Sequence, residues 1–227
     1  MYFDWTYVVL VLPMVILTMI AQGNVTATYN KYSKVMSRRG LTAEQAVRQI
    51  LVANGLHNVA ITRVAGNLTD HYDPRTNSIA LSDTVYGSRS IAAIGVAAHE
   101  AGHAIQHAVG YLPIRIRTAI VPITQFGSKL STPLLILGLL LGFYPLAYAG
   151  ILLFALTTVF QLVTLPTEYN ASRRALEALE GGYLDEDELK GTKKVLSAAA
   201  STYLAALFVS LASLLRLILI VNGRRRD

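Results

Sequence analysis

The chain has 227 residues, of which 53% are hydrophobic and only 15% charged, against roughly a quarter charged in soluble domains. It has no cysteine, which excludes disulfide frameworks, thiol proteases, zinc fingers and iron–sulfur sites; any zinc site must be built from His and carboxylate. The net charge of +6 comes from basic residues scattered beside apolar runs, with no nucleic-acid recognition module, which fits anionic lipid and topology signalling and not nucleic acid.

Residues 5–23 form an uncharged run long enough to span a bilayer. Asp4 stands where a cleavable signal peptide would carry positive charge, so the run is expected to stay as an anchor. A polar stretch, 24–117, follows. Within it Thr42 and Gln45 make a capping-box pattern, Ala46, Ile50 and Leu51 recur at helical spacing, and Gly55 offers a stop. Residues 59–64 read as a short strand, 67–77 as turns, and 78–82 as a second strand. Ser90 can cap a helix from 91 to about 109. Residues 118–165 are apolar with Lys129 as the one ionised side chain, too long for a single crossing at 1.5 Å per residue. Gly142, Tyr144 and Pro145 offer a turn, predicting helices near 120–142 and 146–165. A polar segment, 166–199, contains a second capping box, Asp185 with Glu188, starting a helix near Glu186. A fourth apolar run, 203–221, carries only Arg216 and leads to Arg224, Arg225, Arg226 and Asp227. The expected divisions are an anchor (1–23), a catalytic region (24–117), a transmembrane helix pair (118–165), a polar helical segment (166–199), and a last transmembrane helix with a basic tail (200–227).

Chemistry concentrates in His99-Glu100-Ala101-Gly102-His103. On a helix, His-Glu-x-x-His puts two imidazoles one turn apart on one face, where both can bind one zinc ion. The glutamate between them can take a proton from water at the metal. The bland alternative is a buried helix with two hydrogen-bonded histidines. Flanking Ile94, Val96, Ala97, Ala98, Ala101, Ala104 and Ile105 make the helix apolar nearly all round, so it must be buried. Gly102 permits close approach at the metal face or to a neighbouring element. A third ligand is still needed. The position six residues after His103 is Val109, not histidine, and no acid occurs from Gln106 to Thr167. Glu168 is the first. Alone, it would be a solvated helix end; beside an unfinished two-histidine site the ligand reading prevails. Glu177 and Glu180 read as members of a solvated face.

The blocks Ala98 to Ala108, Asp70-His71-Tyr72-Asp73-Pro74, Phe126-Gly127-Ser128-Lys129-Leu130 and Leu165 to Ala175 resemble the YugP-like membrane-bound neutral zinc metallopeptidases over nearly the whole chain. The Glu168 block is also similar to the Glu-Tyr-x-Ala-Asp block of HtpX-like membrane proteases, whose glutamate binds zinc. Here Ser172 replaces the aspartate, so Ser172 or Asn170 is expected to substitute by hydrogen bonding. The resemblance implies a gluzincin-type zinc metalloendopeptidase: one zinc ion on His99, His103 and Glu168, with Glu100 as general base. His107 reads as a supporting or structural residue, and His71, Tyr169 and Arg173 as candidates for oxyanion stabilisation. By resemblance, the strand Ser78, Ile79, Ala80, Leu81 and Ser82 would pair with extended substrate at its edge. The expected architecture is a mainly α membrane protein with about four transmembrane helices and a small zincin-like α+β element on one membrane face. Its partners would be membrane lipid and protein or peptide substrates. Fifteen of the twenty basic residues lie in 24–117 and 166–199, ten and five respectively, which predicts a cytoplasmic catalytic face on a prokaryotic plasma membrane. Two rivals are an intramembrane, site-2-type protease, with residues 91–110 crossing the bilayer, and a non-catalytic zinc-binding scaffold.

Overall fold

The computed structural model describes residues 4–224; residues 1–3 and the tail residues Arg225, Arg226 and Asp227 lie outside the described residues. The protein is mainly α-helical, with a small three-stranded sheet. Four helical segments are long and apolar enough to cross a membrane: Tyr7–Tyr32, Leu112–Leu140, Tyr144–Glu180 and Glu186–Arg224. The first comprises a π-helical turn, Tyr7–Val11, and α1, Leu12–Tyr32. Contacts divide the chain into two units. One holds the chain up to Ala21, Arg115–Pro166 and the chain from Ser201; the other holds Gln22–Ile114 and Thr167–Ala200.

In the first unit, α4 (Leu112–Leu140) and α5 (Tyr144–Glu180) form a hairpin around Gly142. Their backbones nearly touch: a Cβ on Gly138 would lie 2.4 Å from the Ala147 nitrogen. Small residues serve this purpose in membrane helices, where close packing replaces the hydrophobic drive. Residues such as Ile123, Phe126, Leu137, Leu152 and Leu215 turn outward, as a lipid-facing surface requires. The Thr158 and Ser210 hydroxyls bond at 2.7 Å, tying α5 to α6 (Glu186–Arg224). At one end of the unit, Tyr144 donates to the Arg224 carbonyl at 2.5 Å and Tyr148 to Asn222 Oδ1 at 2.7 Å. Arg216 Nε donates to the Asp4 carboxylate at 2.9 Å, so each charge has its opposite and the membrane cost falls.

The second unit is a packed α+β element. Thr42 caps α2 (Ala43–Ala53) as expected: Gln45 N–H donates to Thr42 Oγ1 at 3.2 Å, and Thr42 N–H to Gln45 Oε1 at 3.0 Å. Ser90 Oγ accepts from Ala93 N–H at the start of α3 (Ile91–Ala108). α3 is enclosed with α2, the sheet and parts of α5 and α6 around Val47, Ile50, Leu51, Ile79, Leu81, Ile94, Ala97 and Leu179. It is not among the helices of the described residues that are long and apolar enough to cross a membrane. The second capping box is half formed. Glu188 accepts from Asp185 N–H at 2.9 Å, but the Asp185 carboxylate is engaged by Arg38, which also pairs with Asp187.

The sheet corrects one expectation. Its order is β1-β3-β2, with β1 at Ala60–Val64, β2 at His71–Asp73 and β3 at Ser78–Ser82. β3 is central: parallel to β1 on one side, and antiparallel to β2, which occupies Ser78, Ile79 and Ala80, on the other. Beyond β2, the Asp70 carboxylate accepts the Ser82 N–H at 2.7 Å. Ser78, Ile79, Ala80, Leu81 and Ser82 therefore present no edge to a substrate. The turn-rich segment 67–77 contains the strand that covers them.

The long helices also exceed their expected bounds. Pro166 lies inside α5 and does not end it. A proline removes an amide donor and crowds the preceding turn. Ala171, Ala175 and Leu179, buried beyond it, hold the helix on, as tertiary packing commonly overrides propensity. Likewise the polar segment from Glu186 and the fourth apolar run are one helix.

Candidate metal centre

α3 carries His99, Glu100 and His103; α5 carries Glu168. Gly102 is where the two helices meet: a Cβ there would sit 2.5 Å from the Ala171 carbonyl oxygen. Any side chain at 102 would force α5 away. This contact brings Glu168 and Ser172, one turn apart on α5, against the histidine face of α3.

His99 Nε2 is 3.1 Å and His103 Nε2 3.6 Å from the same oxygen, Glu168 Oε2. One ligand atom from each of the three residues lies within 4.8 Å of the others. Ligands about 2.0–2.1 Å from a tetrahedral zinc stand about 3.3 Å from one another, so the donors have the spacing as well as the chemistry of a zinc site. Glu168 is 2% exposed and Glu100 8%. A carboxylate this deeply buried needs positive charge beside it. Burial alone would lower the pKa of His103, but its hydrogen bond to Glu168, with Glu100 nearby, outweighs this and holds it above the usual histidine value.

Each histidine is held by its other nitrogen. His99 Nδ1 lies 3.1 Å from Ser172 Oγ, and His103 Nδ1 3.0 Å from Gln106 Oε1. Gln106 Nε2 donates to the Thr167 carbonyl at 2.8 Å and to Asn170 Oδ1 at 2.9 Å, and Arg174 Nε donates to the same Asn170 oxygen at 2.9 Å. Ser172 thus contacts His99 directly, whereas Asn170 reaches His103 only through Gln106. Gln106 was absent from the expectations. The available signals were its i, i+3 spacing from His103 and its place in an apolar helix, where a buried amide must find partners.

The other expected residues lie elsewhere. His107 packs against Tyr72 of β2, ring centroids 5.4 Å apart. His71 is exposed, its Nδ1 2.9 Å from the Thr69 carbonyl. Tyr169 is about half exposed, and Arg173 is exposed and turned to Glu177 at 3.6 Å. None of these four is among the three clustered donors His99, His103 and Glu168.

A family model described as "Putative neutral zinc metallopeptidase" matches residues 7–222. The chain is 47% identical over 206 residues to the "Putative membrane protease YugP" of Bacillus subtilis (strain 168), covering 90% of this chain and 92% of that one. No solved structure matches the chain.

Proposed function

The chain belongs to this zinc metallopeptidase family, and from that premise we propose that it is a membrane-embedded zinc metalloendopeptidase of gluzincin type, with one ion held by His99, His103 and Glu168. The observation that carries this reading is the buried convergence of the three donors beside Glu100 on the same helix. Zinc held by His99, His103 and Glu168 would supply Lewis acidity at that place. Glu100 accepts the proton of the attacking water and returns it to the leaving amine. Simple zinc storage needs no such carboxylate. With β3 enclosed, the sheet edge beside α3 is that of β2, which pairs only with β3 among the described residues. An extended peptide would add to the sheet along His71, Tyr72 and Asp73. The test is hydrolysis of an unfolded protein by the purified chain in detergent or lipid. Chelation should abolish cleavage and zinc should restore it. Cleavage that survives complete metal removal would overturn the reading; stoichiometric zinc without cleavage would favour the scaffold.

The same proposal includes topology. His103 and Glu168 share one ion, so an even number of crossings separates them, and α4 with the apolar part of α5 provides two. The bonds from Tyr144 and Tyr148 to Arg224 and Asn222 place the end of α6 beside the α4–α5 turn. The Arg216–Asp4 pair lies about 12 Å before that end along the helix, at 1.5 Å per residue, and brings the start of the chain to the same side. The last helix therefore crosses whenever the hairpin does, despite Arg224 and its basic neighbours. Positive-inside bias puts the catalytic face in the cytoplasm and both chain ends outside. Since the chain lacks cysteine, Ser197→Cys, Leu141→Cys and Asn222→Cys each report one position to an impermeant thiol reagent on intact cells. Labelling is expected at 141 and 222 and not at 197. Labelling at 197 would reverse the orientation, and opposite behaviour of 141 and 222 would refute their shared face.

A further inference from the structure

We propose that Gln106 is the positioning residue that sets the tautomer of His103, and that its own orientation is fixed by the Thr167 carbonyl together with Arg174 acting through Asn170. The proposal rests on the zinc-site reading above and adds residues to which that reading assigns no role.

Hydrogen-bond polarity is fixed from one end of this chain of contacts to the other. An arginine guanidinium can only donate. The Asn170 atom 2.9 Å from Arg174 Nε must therefore be the carbonyl oxygen, which settles which way that amide faces. An oxygen cannot donate, so the Gln106 atom 2.9 Å from it must be the NH2 group. The Thr167 carbonyl, 2.8 Å from the same Gln106 nitrogen, can only accept and demands the same orientation. Gln106 is thereby left with its oxygen facing His103 Nδ1 at 3.0 Å. That oxygen accepts, so Nδ1 is the nitrogen that keeps its proton when the ring gives one up to become a metal ligand. The lone pair is left on Nε2, the nitrogen that faces Glu168 and His99. A metal needs that lone pair, and a flipped glutamine would offer Nδ1 a donor and favour the wrong tautomer.

The two histidines differ in this respect. Ser172 holds His99 through a hydroxyl, which can rotate to donate or accept and imposes no tautomer. Gln106 is an amide locked by two acceptors and is fully buried, at 0% exposure. It spans from α3 to α5 by way of Thr167 and Asn170. His103 is thus presented with its metal-binding nitrogen prepared by Gln106, which is held jointly by the Thr167 carbonyl and by a half-buried cation on α5 three contacts removed from the ring.

The experiment compares zinc affinity by competition with a chromophoric chelator, and the visible spectrum of the cobalt(II)-loaded protein, across variants in detergent. The variants are Gln106→Leu, Arg174→Leu, Arg174→Lys and the double Gln106→Leu/Arg174→Leu. Gln106→Leu is expected to weaken metal binding by about 10–100-fold, the usual effect of removing a partner behind a ligand, with a changed cobalt spectrum. Arg174→Leu should weaken it severalfold, and Arg174→Lys, still a pure donor, should recover most of the loss. In the double variant the two losses should not add, because both act through one glutamine. Affinity within twofold of the parent in both Gln106→Leu and Arg174→Leu would overturn the proposal, as would additive losses. If Gln106→Leu fails to fold, the Arg174 pair decides: loss restored by Lys supports the proposal, and no loss refutes it. A parent protein that binds neither zinc nor cobalt would instead refute the zinc site itself, so the two failures are distinguishable.

Discussion

Glu100→Gln is expected to lower peptide hydrolysis by about 10²–10⁴-fold while leaving zinc content unchanged. Glutamine keeps the volume of the side chain at a position only 8% exposed, so packing is preserved and only the proton-accepting function is lost. Neither imidazole depends on Glu100 for its hydrogen bond, since Ser172 and Gln106 serve them. Fold and metal should therefore survive, and the loss should fall on kcat, because proton transfer occurs only after substrate is in place. Metal analysis and steady-state cleavage of a defined peptide measure both. Cleavage by Glu100→Gln at the parental rate would remove the general base from the mechanism.

The second large effect is on the metal. His103→Ala should abolish stoichiometric zinc, and Glu168→Gln should weaken it by more than the 10–100-fold that a supporting partner costs. The two differ in the metal-free protein. His103→Ala opens a cavity in a packed helix face. Glu168→Gln removes the carboxylate that both imidazoles face and leaves them without their counter-charge. Without zinc, Glu168→Gln should melt below the parental temperature near neutral pH; with zinc, it should also lose the stabilisation that binding confers. Glu177→Gln, at an exposed position paired only along its own helix to Arg173, is the control and should keep full zinc. Zinc retained in Glu168→Gln and lost in Glu177→Gln would overturn the third-ligand assignment.

Local signals in the sequence located local structure well. Thr42 with Gln45 and Ser90 mark the helix starts at which they are found, and β3 spans the five residues that its turn-bounded apolar pattern predicts. Those signals act within a turn or two of the chain. What escaped was decided at long range. His71, Tyr72 and Asp73 sit among turn formers and become a strand only because β3 supplies their partners, and that one pairing also converts β3 from an edge to a centre. The helix expected near 146–165 runs on past Pro166, because the buried face from Ala171 to Leu179 carries it through. Glu168 therefore sits within a helix and not at a helix end. Gln106 finds its partners 61 and 64 residues away, so nothing in its neighbourhood announces its role. The two histidines and Glu168 were legible because their chemistry is incomplete apart, and that incompleteness restricts the choice of partner.

The order in which these pieces occur along the chain has a consequence for biogenesis. His99 and His103 leave the ribosome before the apolar hairpin of α4 and α5, whereas Glu168 follows it. A nascent chain that ends before the hairpin holds two donors of the three. Gly102 waits at the same stage for Ala171, the backbone contact that brings Glu168 to the histidines. The donor set is thus completed only after the whole of the α4–α5 hairpin has been made. A polypeptide stalled, truncated or mistargeted before α5 carries the His-Glu-x-x-His signature without the means to use it.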